Sequence, residues 1–126
     1  MKHVIFLFIY IFFITCTSDN EYDYFEQFNC DANDIYFFTS DPNKSIQAII
    51  TSKCLSCHSE KNMNQGAFVI LETYEQLTDP SYNLYDLLIG SNASMPKEGS
   101  QQLTDCEKLK IENWINNQYP YDEMGR

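Results

Sequence analysis

The sequence is poor in histidine and in positive charge. Its 126 residues include two histidines, and eight lysines and arginines stand against eighteen aspartates and glutamates. Nucleic-acid binding requires clustered Lys and Arg side chains, so this composition argues against it. No apolar run approaches the roughly 20 residues that a membrane-spanning helix requires. The length favours a single domain, and the sequence contains no internal repeat.

The longest apolar run lies at the N-terminus. Residues 4–14 are almost entirely apolar or aromatic and follow a short polar start, Met1-Lys2-His3. This pattern predicts a secretory signal peptide over residues 1–15, with a short uncleaved membrane anchor as the alternative. Cys16 follows the run, and its context resembles a bacterial lipoprotein signal, in which this cysteine becomes lipidated. The alternative is an ordinary signal that is cleaved a few residues later.

The lipoprotein resemblance implies an exported protein with a lipid anchor in the membrane, either periplasmic or at the outer membrane. Residues 17–21 also resemble the export signal of surface-exposed lipoproteins. Without Lys2, the mature chain has seven basic and eighteen acidic residues, a formal charge of −11. Such a charge either steers the protein towards redox partners with basic patches or only keeps it soluble.

Two segments between residues 41 and 90 predict helices. Asp41 followed by Pro42 is typical of a helix start, and isoleucines at helical spacing follow it. Residues 81–90 carry a leucine stripe that ends at a glycine, which predicts a second helix. Between these helices we expect a short extended segment over residues 67–71 and a helical turn over residues 74–77.

A third helix has the clearest signature. Thr104 and Glu107 have the spacing of a capping box, and the apolar positions that follow include Trp114. We expect this helix to extend to about Asn117. A loop containing proline and glycine should precede it, over residues 92–101.

The segment Cys54-Leu55-Ser56-Cys57-His58 matches Cys-x-x-Cys-His, the pattern of covalent c-type haem attachment. In this chemistry each cysteine thiol adds to one porphyrin vinyl group and the adjacent histidine binds the iron. The motif therefore predicts haem c as the cofactor, attached at Cys54 and Cys57, with His58 as the proximal iron ligand. A redox disulfide and half of a zinc site are the alternatives for the two cysteines.

His58 is the single histidine after residue 15, so a second histidine cannot bind the opposite side of the iron. Methionine is the usual alternative. Met63 follows His58 too closely to reach that side easily, and Met124 lies in the polar C-terminal end. Met95, followed by the stiff Pro96, is therefore predicted as the distal ligand. The alternative is a buried loop methionine beside an open iron site, which would favour gas or peroxide binding over electron transfer.

Residues 41–120 resemble a small class I-type monohaem cytochrome c domain, of the bacterial kind also appended to larger exported oxidoreductases. The resemblance rests on the haem motif, on Ser94-Met95-Pro96 and on the final helix with its Trp-Ile ending. It implies an all-α fold of about three to four helices packed around the haem, with long loops and the last helix packed across the first. Two positions depart from the family: Lys97, where a second proline is usual, and Gln118, where glycine is common.

The chain is accordingly divided into a signal peptide (1–15), a lipid-attached tether and lead-in segment (16–40), a cytochrome c domain (41–120) and a C-terminal tail (121–126). Aromatic residues between positions 17 and 29 either pack onto the domain or remain on a surface tether.

Two cysteines remain after the lipid and the haem are assigned. An even remainder in an exported chain predicts a disulfide between Cys30 and Cys106, with two buried free thiols as the alternative. The expected function is electron transfer outside the cytoplasmic membrane by a carrier that is not itself an enzyme. A haem enzyme or gas-binding protein with an open iron site is the second hypothesis, and a haem-free thiol–disulfide protein is the third.

Overall fold

The computed structural model describes residues 29–63 and 68–125. The predicted signal peptide, Cys16 and most of the lead-in segment lie outside these residues. Within them, five α-helices and a 3₁₀ turn form, and the only pairing of extended backbone is an isolated bridge between Tyr36 and Ser45. The helices are α1 (Ile46–Lys53), α2 (Leu55–His58), α3 (Tyr74–Leu77), α4 (Leu84–Leu88) and α5 (Asp105–Asn116). This mostly helical architecture agrees with the all-α prediction, and two single-turn helices bring the number above the expected three to four.

The start of α1 differs from the prediction. Asp41 caps a separate 3₁₀ turn, Pro42–Lys44, and the helix itself begins after Ser45, whose hydroxyl accepts a hydrogen bond in its first turn. At the first residue of α1, the Ile46 amide donates to the Tyr36 carbonyl at 2.9 Å. The predicted start at Asp41 is wrong because the chain interrupts its helix to pair with the preceding segment.

The later helices follow their local signals more closely. Thr104 and Glu107 form the predicted capping box at the start of α5, and α3 occupies the predicted turn. Helix α4 is shorter than the predicted 81–90, because Asn83 caps its first turn. Helix α5 ends where Gln118 adopts a left-handed backbone with φ of 64°.

The core forms where α1, α4 and α5 meet. Helix α5 contacts both α1 and α4. Trp114 is fully buried, and its indole N–H donates to the Pro120 carbonyl at 3.0 Å. The other fully or almost fully buried apolar side chains come from all parts of the described chain; the largest are Ile35, Ile46, Leu77 and Ile111.

Both ends of the described chain contribute to this core. The amides of Phe37 and Phe38 donate to the carbonyls of Pro120 and Tyr121 at 3.0 and 2.8 Å. The Phe37 and Tyr121 rings stack with centroids 5.8 Å apart. The segments before α1 and after α5 are thus paired with each other.

Candidate functional site

The Cys-x-x-Cys-His motif forms a single hydrogen-bonded turn at the end of α1. Cys54 caps α1, and its amide donates to the Ile50 carbonyl at 2.9 Å. The amides of Cys57 and His58 then both donate to the Cys54 carbonyl, at 3.0 and 2.9 Å. Because α1 is anchored in the core by its isoleucines, this turn holds all three motif side chains at one end of a fixed helix.

The His58 imidazole has a defined orientation. Its Nδ1 lies 2.9 Å from the Val69 carbonyl oxygen, which can only accept a hydrogen bond. Nδ1 therefore carries the proton and donates it, which leaves the lone pair of a neutral ring on Nε2. A second main-chain bond, from the Leu71 amide to the His58 carbonyl at 2.9 Å, holds the two segments together. Nε2 is thus the nitrogen available to bind a metal.

The two motif thiols are free and differ in environment. Cys54 is half-buried and packs against the core, whereas Cys57 is exposed. Burial, together with the charge of Glu107 and the neighbouring Cys57, raises the pKa of the Cys54 thiol to about 11. The Cys54 thiol is therefore protonated near neutral pH, and neither sulfur is bonded to another.

An ion pair fixes the motif end of α1 against α5. The Lys53 ammonium lies 3.5 Å from the Glu107 carboxylate and also donates to the Gln102 carbonyl at 3.1 Å. The same carboxylate oxygen accepts the Thr104 amide at 2.8 Å as part of the capping box. The Glu107 carboxylate therefore both caps α5 and holds Lys53, the residue that precedes Cys54.

Met95 lies in the loop after α4, as expected from the sequence. The amides of Ser94 and Met95 both donate to the Leu87 carbonyl, at 3.1 and 3.0 Å, which fixes the loop against the helix. The Met95 side chain is half-buried and packs on the same core cluster as Cys54 and Leu55. The loop thus presents its thioether to the core that also supports the motif.

The two other described methionines are more exposed than Met95. Met63 is 40% exposed and Met124 is 74% exposed. Neither packs against the main core cluster, as Met95 does. The positions of the three methionines are therefore consistent with the choice of Met95.

Cys30 and Cys106 lie at disulfide distance, with their sulfurs 2.05 Å apart and their Cα atoms 5.5 Å apart. The pairing predicted from the cysteine count is the one that the structure contains. It joins the segment before α1 to the first turn of α5. This link lies on the same turn as Glu107, so it supports the part of α5 that contacts the motif helix.

Sequence reasoning missed the contact between His58 and the segment that follows the motif. The Val69 carbonyl is the partner of His58, and Phe68 beside it is 94% exposed. A backbone carbonyl can come from any residue type, so no side-chain pattern could have identified Val69. The exposure of Phe68 could not be predicted either, because an isolated phenylalanine is usually expected to be buried.

An open cleft of about 1100 Å³ lies between the 3₁₀ turn, α1 and the start of α5. Its charged lining includes Lys44, Lys53 and Lys110 together with Asp31 and Glu107. Cys54, Cys57 and His58 do not line it. This cleft is a polar surface groove, and the chemistry of the motif lies elsewhere.

Within the described ranges, no group of three or more His, Cys, Asp and Glu side chains could hold a metal ion, and no helix is both long and apolar enough to cross a membrane. Comparison of the chain with protein-family models, curated proteins and solved structures found no match. The likeness to cytochrome c therefore rests on the sequence motifs alone.

Proposed function

We propose that this chain is an exported electron carrier, with haem c attached at Cys54 and Cys57 and its iron bound by His58 and Met95. The observation that carries the proposal is the hydrogen bond from His58 Nδ1 to the Val69 carbonyl. A histidine that binds a metal commonly donates its other ring nitrogen to such an acceptor, which fixes both tautomer and orientation. Here that arrangement exists in the residue that the motif assigns to the iron.

The remaining residues fit the same cofactor. Both motif thiols are free, and a thiol can add across a vinyl C=C bond, with sulfur bonded to one carbon and hydrogen to the other. This addition consumes no oxidant. Met95 supplies a half-buried thioether from a loop that is fixed against α4. When bound, a haem with methionine and histidine ligands supplies reversible one-electron exchange at a raised potential.

The chain's own contribution is positioning. Helix α1 and the Lys53–Glu107 pair hold the attachment turn, and the Val69 carbonyl holds the imidazole. The disulfide holds the start of α5 against the segment before α1. The iron ligands would therefore move little between oxidation states, which keeps the energy needed for reorganisation low during electron transfer.

Location and partners belong to the proposal as well. The sequence of residues 1–16 supports export and a lipid anchor at Cys16, so the carrier would act outside the cytoplasmic membrane. The formal charge of −11 that the mature chain would carry favours redox partners with basic patches. The proposal includes a cytochrome c-like arrangement of the helices around the haem.

A haem-free thiol–disulfide function has less support. Its attacking cysteine needs a thiolate near neutral pH, and such cysteines have lowered pKa values. Cys54, the first cysteine of the motif, has a raised pKa instead, mainly because it is buried. Burial of Cys54 therefore argues against disulfide exchange that begins at this thiol in the folded chain.

The test is expression of the full chain with a cytochrome c maturation system. We expect one covalently bound haem by intact mass, and loss of it in a Cys54→Ser/Cys57→Ser variant. The ferric protein should show a methionine–iron charge-transfer band that Met95→Ala removes, while Met124→Ala, an exposed methionine, retains it. High-spin ferric haem in the wild type would instead support an open iron site, and absence of covalent haem would refute the proposal.

A further inference from the structure

The segment between the motif turn and α3 exposes apolar side chains to an unusual degree. Phe68 is 94% exposed, Val69 is 41% exposed and Met63 is 40% exposed. We refer to Phe68 and Val69, which are neighbours in the chain, as the motif-side patch. The other exposed large apolar side chains in the described part of the chain are Phe38, Met63, Leu109 and Met124. An almost fully exposed phenylalanine next to a candidate site is a surface that a bound ligand can cover.

The main chain fixes this patch beside the iron-binding imidazole. The Val69 carbonyl accepts the His58 Nδ1 proton at 2.9 Å, and the Leu71 amide donates to the His58 carbonyl at 2.9 Å. Phe68 directly precedes Val69, so its backbone is held within one residue of the bond that orients His58. A group that is bound through the motif would therefore lie next to the patch and could cover it.

We propose that Phe68, supported by Val69, is a packing surface for the porphyrin of the haem that the motif holds. This inference rests on the proposed function. A porphyrin is a large and mostly apolar group, and it would be attached to the residues that this patch adjoins. A protein partner fits less well, because the two side chains of the patch expose far less than the roughly 800 Å² that each partner buries in a standard interface.

The test uses the holoprotein with Phe68→Ser, the conservative Phe68→Leu and the control Phe38→Ser. Phe38 is 53% exposed and lies on the segment paired with Tyr121, so its loss probes a general effect of removing a surface phenylalanine. The readouts are the thermal midpoint of the holoprotein and the circular dichroism of the Soret band, which responds to aromatic groups near the haem.

Phe68→Ser should lower the thermal midpoint by roughly 10 °C and reduce the Soret dichroism, because a buried phenylalanine contact is lost. Phe68→Leu should retain most of both signals, and Phe38→Ser should leave the Soret dichroism unchanged. An unchanged midpoint and Soret dichroism in Phe68→Ser would overturn the inference and leave a protein partner as the cover. An equal Soret change in Phe38→Ser would also overturn it. Failure of the wild-type chain to attach haem would overturn the proposed function, and this inference with it.

Discussion

The Cys54 thiol should react slowly in the folded, haem-free chain. Burial is the largest cause of its raised pKa, followed by the charges of Glu107 and Cys57. A Cys57→Ser variant removes the smallest of the three causes and leaves Cys54 as the only motif thiol. Its reactivity can then be followed alone once Cys16 is also replaced by serine, since Cys30 and Cys106 are joined in the disulfide.

The expected size of the effect follows from the pKa. A rise from 9.0 to about 11 reduces the thiolate fraction at pH 8 by about 100-fold. A thiolate of higher pKa is also the better nucleophile, and this recovers about tenfold in rate. The folded chain should therefore react about tenfold more slowly than the unfolded chain. Restricted access to the half-buried sulfur can only increase that difference.

The measurement is alkylation by iodoacetamide, without reductant, in buffer and in concentrated urea, followed by mass analysis. The rate for folded Cys57→Ser should continue to rise above pH 9, where an ordinary thiol levels off. In the matched Cys54→Ser variant, the exposed Cys57 should react at similar rates in buffer and in urea. Equal rates for Cys54 in the folded and unfolded chain, with levelling near pH 9, would refute the argument that burial controls this thiol.

Two further predictions concern stability. Gln118 is exposed and has φ of 64°, so Gln118→Gly should raise the free energy of unfolding by about 1 kcal/mol in urea titrations, and a decrease would contradict the assigned backbone. The Cys30–Cys106 disulfide closes a separation of 76 residues, so Cys30→Ser/Cys106→Ser should lower the free energy of unfolding by up to about 4 kcal/mol. Non-reducing against reducing mass analysis should show two additional free thiols in the reduced wild type, and an unchanged thermal midpoint in the double variant would contradict a structural role.

Features with a local cause could be predicted from the sequence. The capping box of Thr104 and Glu107 lies within one helical turn, and the turn Tyr74–Leu77 has its own capping residues. The glycine preference noted at position 118 likewise matches the left-handed backbone found there, although this chain has glutamine. Each of these depends on neighbours in the sequence.

Features with a distant cause could not be predicted. The start of α1 moved from Asp41 to Ser45 because the chain pairs with Tyr36. The His58 imidazole hydrogen-bonds to the backbone carbonyl of Val69, eleven positions away. Every residue type has such a carbonyl, so the sequence could not identify this partner. The prediction of Met95 as the distal iron ligand depended on the small number of methionines in the sequence. The iron site itself remains a prediction from the motif.

The pairing of residues 37–38 with residues 120–121 has a consequence for how the protein is made. Its hydrogen bonds join positions more than 80 residues apart, so the core cannot close until residues 120–121 have been synthesised. If the chain binds haem as proposed, its motif thiols would lie on an open chain until that point, where a maturation enzyme can reach them. Pairing with residues 120–121 thus completes the core, and a chain truncated before Pro120 would present its motif without completing its fold.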